Sequence, residues 1–127
     1  MFIFVTIMDI SDLNTLKIKW KELLKKMSEQ LGEEPDIQAL LFLIGVQELG
    51  HGYRKFTRDE KQDLMHLATC KLLSQYKYYE LEGVDAEGWP HYRLTQKLPP
   101  MNLKEQNLLL LQSMLQYFAE QGVITVE

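Results

Sequence analysis

The sequence predicts a mainly α-helical fold: a four-helix domain built around its central apolar helix, with one β-hairpin before the last helix. Three observations predict it. Apolar residues recur at three- and four-residue spacing over most of the chain. One segment, Ile37 to Val46 (IQALLFLIGV), is apolar nearly all the way round and so demands cover on both sides. Between Tyr78 and Thr95 the period drops to two, as a strand requires. With 127 residues, 46% hydrophobic and 25% charged, the chain is expected to form a single domain, 1–127, with an interior large enough to fold without staples.

The first segment, Met1 to Met8 (MFIFVTIM), lacks the basic flank and cleavage site of a signal peptide. Its β-formers Phe2, Ile3, Phe4, Val5 and Ile7 suit an edge strand, and the alternative is an appendage ahead of a start at Met8. Asp12 to Leu31 reads as an amphipathic helix. Leu13, Leu16, Trp20, Leu23, Leu24, Met27 and Leu31 fall within about 100° of arc, Ser11 or Asp12 caps the start, and Gly32 stops it. Five lysines, Lys17, Lys19, Lys21, Lys25 and Lys26, occupy the remaining circumference and read as a solvated face.

Pro35 suits the first turn of the second helix, where its missing N–H costs nothing. Gly45 in the middle of that helix costs about 1 kcal/mol against alanine, and close approach of a neighbouring helix is the reason to tolerate it. A glycine-bracketed basic loop follows, Gly50-His51-Gly52-Tyr53-Arg54-Lys55-Phe56. Thr57 and Glu60 then form the capping box of a third helix, which buries Leu64, Leu67, Ala68 and Leu72. The hairpin strands are expected at 78–82 and 91–95, joined by the turn-rich GVDAEGWP loop. After Pro99-Pro100, Asn102 and Glu105 cap the last helix. Leu108, Leu111, Met114, Leu115 and Phe118 line its buried face, Gly122 ends it, and Val123 to Val126 suit a short closing strand.

Charge and cysteine usage narrow the function. A net charge of -4 speaks against a surface wholly committed to nucleic acid. The lone Cys70 favours a reducing compartment, and no apolar run approaches the roughly 18 residues that cross a bilayer. The expected location is cytoplasmic, with no membrane association.

Two surfaces are candidates for binding. His51, Tyr53, Arg54, Lys55 and Arg58, with Lys61 behind them, gather donors and positive charge at the start of the third helix. Free N–H groups there already favour an anion or an acidic partner surface. The second surface is the aromatic cluster Tyr76, Tyr78, Tyr79, Trp89, His91 and Tyr92, of the residue types that dominate interfaces. A protein partner or self-association as a homodimer is the expectation from it.

For catalysis the pattern is thin. Nucleophile elbows and phosphate-cradling glycine loops are missing from the sequence, and no catalytic residue or cofactor is assigned. An alternative metal set is Asp63, His66 and Cys70, spaced to share one helical face. Glu48 and His51 form a Glu-x-x-His, but the glycines around His51 end the helix before the two can share a face.

The block LFLIGVQELGHGYRKFTRDEK (Leu41 to Lys61) and the EGWPH stretch (Glu87 to His91) resemble an uncharacterised family of small bacterial proteins, which implies a bacterial cytoplasmic protein. Tyr78 to Lys97 (YYELEGVDAEGWPHYRLTQK) is similar to the wing of PadR-type winged-helix regulators, and the helix order matches theirs. That similarity implies DNA binding and dimerisation through the last helix. The acidic start of the third helix (Asp59, Glu60, Asp63) and the acidic wing (Glu80, Glu82, Asp85, Glu87) depart from it, because carboxylates would face phosphates. The reading preferred is a non-enzymatic interaction or scaffold module. A winged-helix regulator is the first alternative and a metal-dependent helical enzyme the second.

Overall fold

The structure is a computed structural model and describes residues 10–52 and 54–124. It contains helices α1 (Ile10–Leu31), α2 (Ile37–Leu49) and α3 (Arg58–Ser74), strands β1 (Tyr79–Val84) and β2 (Pro90–Leu94), and helix α4 (Leu103–Glu120). The mainly helical architecture with one hairpin before the last helix is therefore as the sequence predicts. The expected N-terminal strand and Tyr53 lie outside the described residues, as do all but Val123 and Ile124 of the expected closing strand. The chain divides into two compact units, one built on α1 and α4, the other on residues 36–98.

In the first unit, α1 and α4 pack together. Leu16, Leu23 and Met27 of α1 are buried, as are Leu109, Met114, Leu115, Tyr117 and Phe118 of α4. Helix α1 starts at Ile10, so Ser11 and Asp12 fall inside its first turn rather than at its cap. Gly32 ends it with φ +86°, its N–H donating to the Ser28 carbonyl at 2.8 Å. Leu31, expected on the buried face, is the last helical residue and is exposed. Helix α4 carries the Asn102–Glu105 capping box. It ends in a Schellman motif: Gly122 donates to Ala119 O at 3.0 Å and Val123 to Phe118 O at 2.9 Å. Its buried arc is wider than the leucine spacing suggests, taking in Leu109, Ser113 and Tyr117, while Leu108 and Leu111 are half-buried.

In the second unit α2 packs along α3, and the hairpin packs on α3. Asp36 caps α2, its carboxylate accepting the Ala39 N–H at 2.7 Å. Pro35 therefore sits one residue ahead of the cap, outside the first turn. Gly50, left-handed at φ +76°, closes the other end on the Val46 carbonyl. Leu40, Ile44, Leu64 and Leu72 are almost wholly buried. Gly45 lies directly against the Leu64 backbone of α3, the close approach its position predicts.

The strands sit closer to the turn than the alternation suggests, leaving out Tyr78 and Thr95, and pair antiparallel from Tyr79↔Leu94 to Val84↔Pro90 with a bulge between Leu81 and Gly83. Between them lie residues 85–89, in which Asp85 and Trp89 close a tight Ala86-Glu87-Gly88 loop. Gly88 is left-handed at φ +89°, the residue such a three-residue loop needs at that point. Asp85 closes the turn in both directions: its N–H donates to Trp89 O and its carbonyl accepts from Gly88 N–H, each at 3.0 Å. At the base of the hairpin Thr95 N–H donates to Tyr78 O at 2.9 Å, and Thr95 Oγ1 donates to Lys77 O at 2.6 Å.

Candidate functional site

The hairpin turn and the first half of α3 enclose a groove of about 470 Å3, lined by Glu60, Asp63, Leu67, Asp85, Glu87, Trp89, Pro90 and His91. Its construction begins with Thr57. The Thr57 hydroxyl accepts the Glu60 N–H at 3.1 Å, and the Glu60 carboxylate accepts the Thr57 N–H at 2.9 Å. This reciprocal cap sets the first turn of α3 and places Glu60 on the groove, with Asp63 three residues on along the same face.

Arg54 reaches the same carboxylate. Its Nη2 is 3.1 Å from Glu60 Oε2, and its guanidinium lies 4.3 Å from the centre of the Phe56 ring, a cation–π arrangement. The Thr57 N–H, reinforced by Arg54, holds the Glu60 carboxyl below the usual carboxylate range.

On the opposite side Asp85 organises the turn. One carboxylate oxygen accepts the N–H of Glu87 at 2.9 Å and of Trp89 at 3.0 Å, an Asx-turn. The other lies 2.8 Å from His91 Nε2. The His91 bond first, then the Trp89 and Glu87 amides, keep the Asp85 carboxyl ionised below its ordinary range. An ionised carboxylate only accepts, so Nε2 of His91 carries the hydrogen. Behind them Trp89 and Tyr92 are half-buried against the cluster Leu49, Phe56, Leu64 and Leu67. The indole thus forms a fixed wall, anchored in the core.

His51 braces the turn from outside. Its imidazole occupies the space a side chain at Gly88 would need, with Nε2 2.6 Å from the ideal Cβ position. The basic loop and the hairpin, separate candidates in the sequence, thereby meet at His51 and Gly88.

Of the cationic residues in the loop and the first turn of α3, all of them exposed, Arg54 is engaged by Glu60 and Phe56; the others are Lys55, Arg58 and Lys61. Among the aromatics, Tyr78 is buried, Tyr76 and Tyr79 are half-buried, and His91 is exposed beside Asp85. Tyr79, Leu81, Tyr92 and Leu94 are cross-strand partners on one hairpin face, where Leu81 and Leu94 remain half-exposed at 50% and 52%. Burial raises the Tyr92 hydroxyl above the ordinary range, aided by Glu48 and Cys70 nearby.

The alternative metal residues are distributed differently. Asp63 lines the groove. His66 is exposed, with Nε2 3.6 Å from Sγ of buried Cys70. Burial pushes the Cys70 thiol up, so the contact is made by the thiol rather than the thiolate. Glu48 lies 4.0 Å from Lys71 Nζ, whereas the His51 ring lies against Gly88. Among the described residues no group of three or more His, Cys, Asp or Glu is arranged to hold a metal ion, and no helix is long and apolar enough to cross a membrane.

Sequence reasoning missed the groove itself and the role of Asp85. The signal for Asp85 was present, an aspartate two and four residues ahead of amides in a glycine turn. The groove had none, because its two walls are some twenty residues apart in the chain. Comparison with known protein families, characterised proteins and solved structures finds no match.

Proposed function

We propose that this chain is a non-enzymatic interaction module of the bacterial cytoplasm, and that the groove between α3 and the hairpin docks a positively charged segment of a protein partner. The carrying observation is the lining: four carboxylates, Glu60, Asp63, Asp85 and Glu87, beside the indole of Trp89. Carboxylates with an aromatic wall are the chemistry that receives a guanidinium or ammonium group. The chain holds its own Arg54 in this manner, between Glu60 and the Phe56 ring. The wall is preorganised, since Asp85 fixes the turn and the core fixes Trp89, so little ordering is left to oppose binding.

The same lining weighs against the winged-helix alternative. In that architecture helix and wing both approach the phosphate backbone, and here the surface between them is acidic. The buried thiol of Cys70 supports a reducing location.

The test is calorimetric titration of an arginine-rich decapeptide and a glutamate-rich control into the protein at low salt. Only the basic peptide is expected to bind, weakening as salt rises. The double variant Asp63→Asn, Glu87→Gln is expected to bind it at least about tenfold more weakly, a loss of about 1.4 kcal/mol. Equal binding of both peptides, or an unaltered affinity in the double variant, would refute the reading.

A further inference from the structure

We infer that His91 is a pH-gated internal cation of this groove, which on protonation takes over Asp85 and competes with the cationic group of a bound partner. The inference rests on the reading of the groove given above and adds its regulation. Histidine changes charge between about pH 5 and 8, the interval in which carboxylates and arginines keep theirs. His91 is the histidine of the lining, and its Nε2 is already 2.8 Å from Asp85 Oδ2. No movement is needed for the added proton to act.

The groups around the pair leave this effect uncompensated. On its own turn stand Asp85 and Glu87, and across the groove on α3 stand Glu60 and Asp63. From the loop before α3, Arg54 is committed to Glu60, and His51 lies against Gly88. Further along the strands Arg93 is paired with Glu80 at 2.6 Å and reaches Glu82 at 4.0 Å. With neutral His91, Asp85 offers a full negative charge to an incoming cation. With the imidazolium in place that charge is matched from within, as Arg54 already matches Glu60, and Asp63 and Glu87 are left to receive the cation.

Acidification therefore weakens capture of a permanently charged guanidinium, although the guanidinium itself does not titrate. One unit charge at about 5–6 Å in a water-exposed groove changes affinity by roughly threefold to tenfold.

The experiment compares the affinity of the arginine-rich decapeptide at pH 7.5 and pH 5.5 by calorimetry. Wild type is expected to lose threefold to tenfold on acidification, His91→Gln to bind equally at both, and His66→Gln to retain the wild-type loss. A pH dependence that persists in His91→Gln, or is missing from wild type, overturns this inference alone. Absence of binding at both pH values overturns it together with the groove reading. A second readout needs no ligand: the amide resonances of Glu87 and Trp89, which bond to Asp85, follow its protonation in an acid titration. Their midpoint is expected to move up in His91→Gln, and an unmoved midpoint counts against the pairing.

Discussion

Gly45 of α2 lies so close to Leu64 of α3 that an added Cβ would overlap the Leu64 carbonyl oxygen and approach its carbonyl carbon to 2.7 Å and its Cβ to 2.9 Å. The obstructing atoms are backbone and the Cβ fixed to it, which cannot swing aside as the far end of a long side chain can. This contact explains a glycine in the middle of an otherwise apolar helix. Gly45→Ala is expected to lower stability in denaturant unfolding by about 2 kcal/mol or more, despite gaining close to 1 kcal/mol of helix propensity. A stabilised variant would mean that the helices are further apart than described.

Gly88 poses a softer constraint. Its left-handed backbone costs a non-glycine residue about 1–2 kcal/mol, and the His51 ring blocks the Cβ position. Gly88→Ala is therefore expected to destabilise. In a His51→Ala background the steric part disappears, leaving the backbone part alone. A double-mutant cycle on thermal unfolding should return a coupling between the two positions, and additivity would show that they do not touch.

Two carboxyls are expected to contribute to the acid limb of stability. Glu60 and Asp85 are both held below their ordinary range in the folded state. As pH falls the unfolded chain takes up these protons first. Their contribution is thus complete above the unfolded carboxylate range, near pH 4 to 4.5, and is lost as pH falls through the depressed folded values. Glu60→Gln and Asp85→Asn are expected to flatten the decline of stability below about pH 4.5, read from urea midpoints. An unchanged acid limb would contradict the hydrogen bonds assigned to both groups.

Cys70 should behave as a sheltered thiol. It is buried, and burial raises its titration above the ordinary thiol range. Alkylation by iodoacetamide at pH 8 is expected to be far slower in the native protein than in denaturant. Comparable rates would show that His66 activates it or that the site is open.

How much of this was legible depends on how local each feature is. Both capping boxes, Thr57–Glu60 and Asn102–Glu105, were readable because cap and partner lie three residues apart. The glycine stops at 32, 50 and 122 were readable for the same reason. Boundaries were less so: α1 runs back to Ile10, and Asp36 rather than Pro35 begins α2. Periodicity found the leucine stripe of α4 but not the burial of Ser113 and Tyr117, which follows from packing rather than residue type. The candidate site was half legible. Composition flagged His51, Arg54, Trp89 and His91 as unusual, yet Arg54 proved to be held by Glu60 and Phe56. The groove is formed by segments that only the fold brings together.

Whether the surface between α3 and the hairpin receives cationic side chains is read out by mapping the arginine-rich decapeptide with amide and indole resonances. The largest shifts are expected on residues 85–91, the Trp89 indole N–H and residues 60–67 of α3. Shifts centred on the exposed Lys55, Arg58 and Lys61, or spread evenly over the acidic residues of the whole chain, would contradict it.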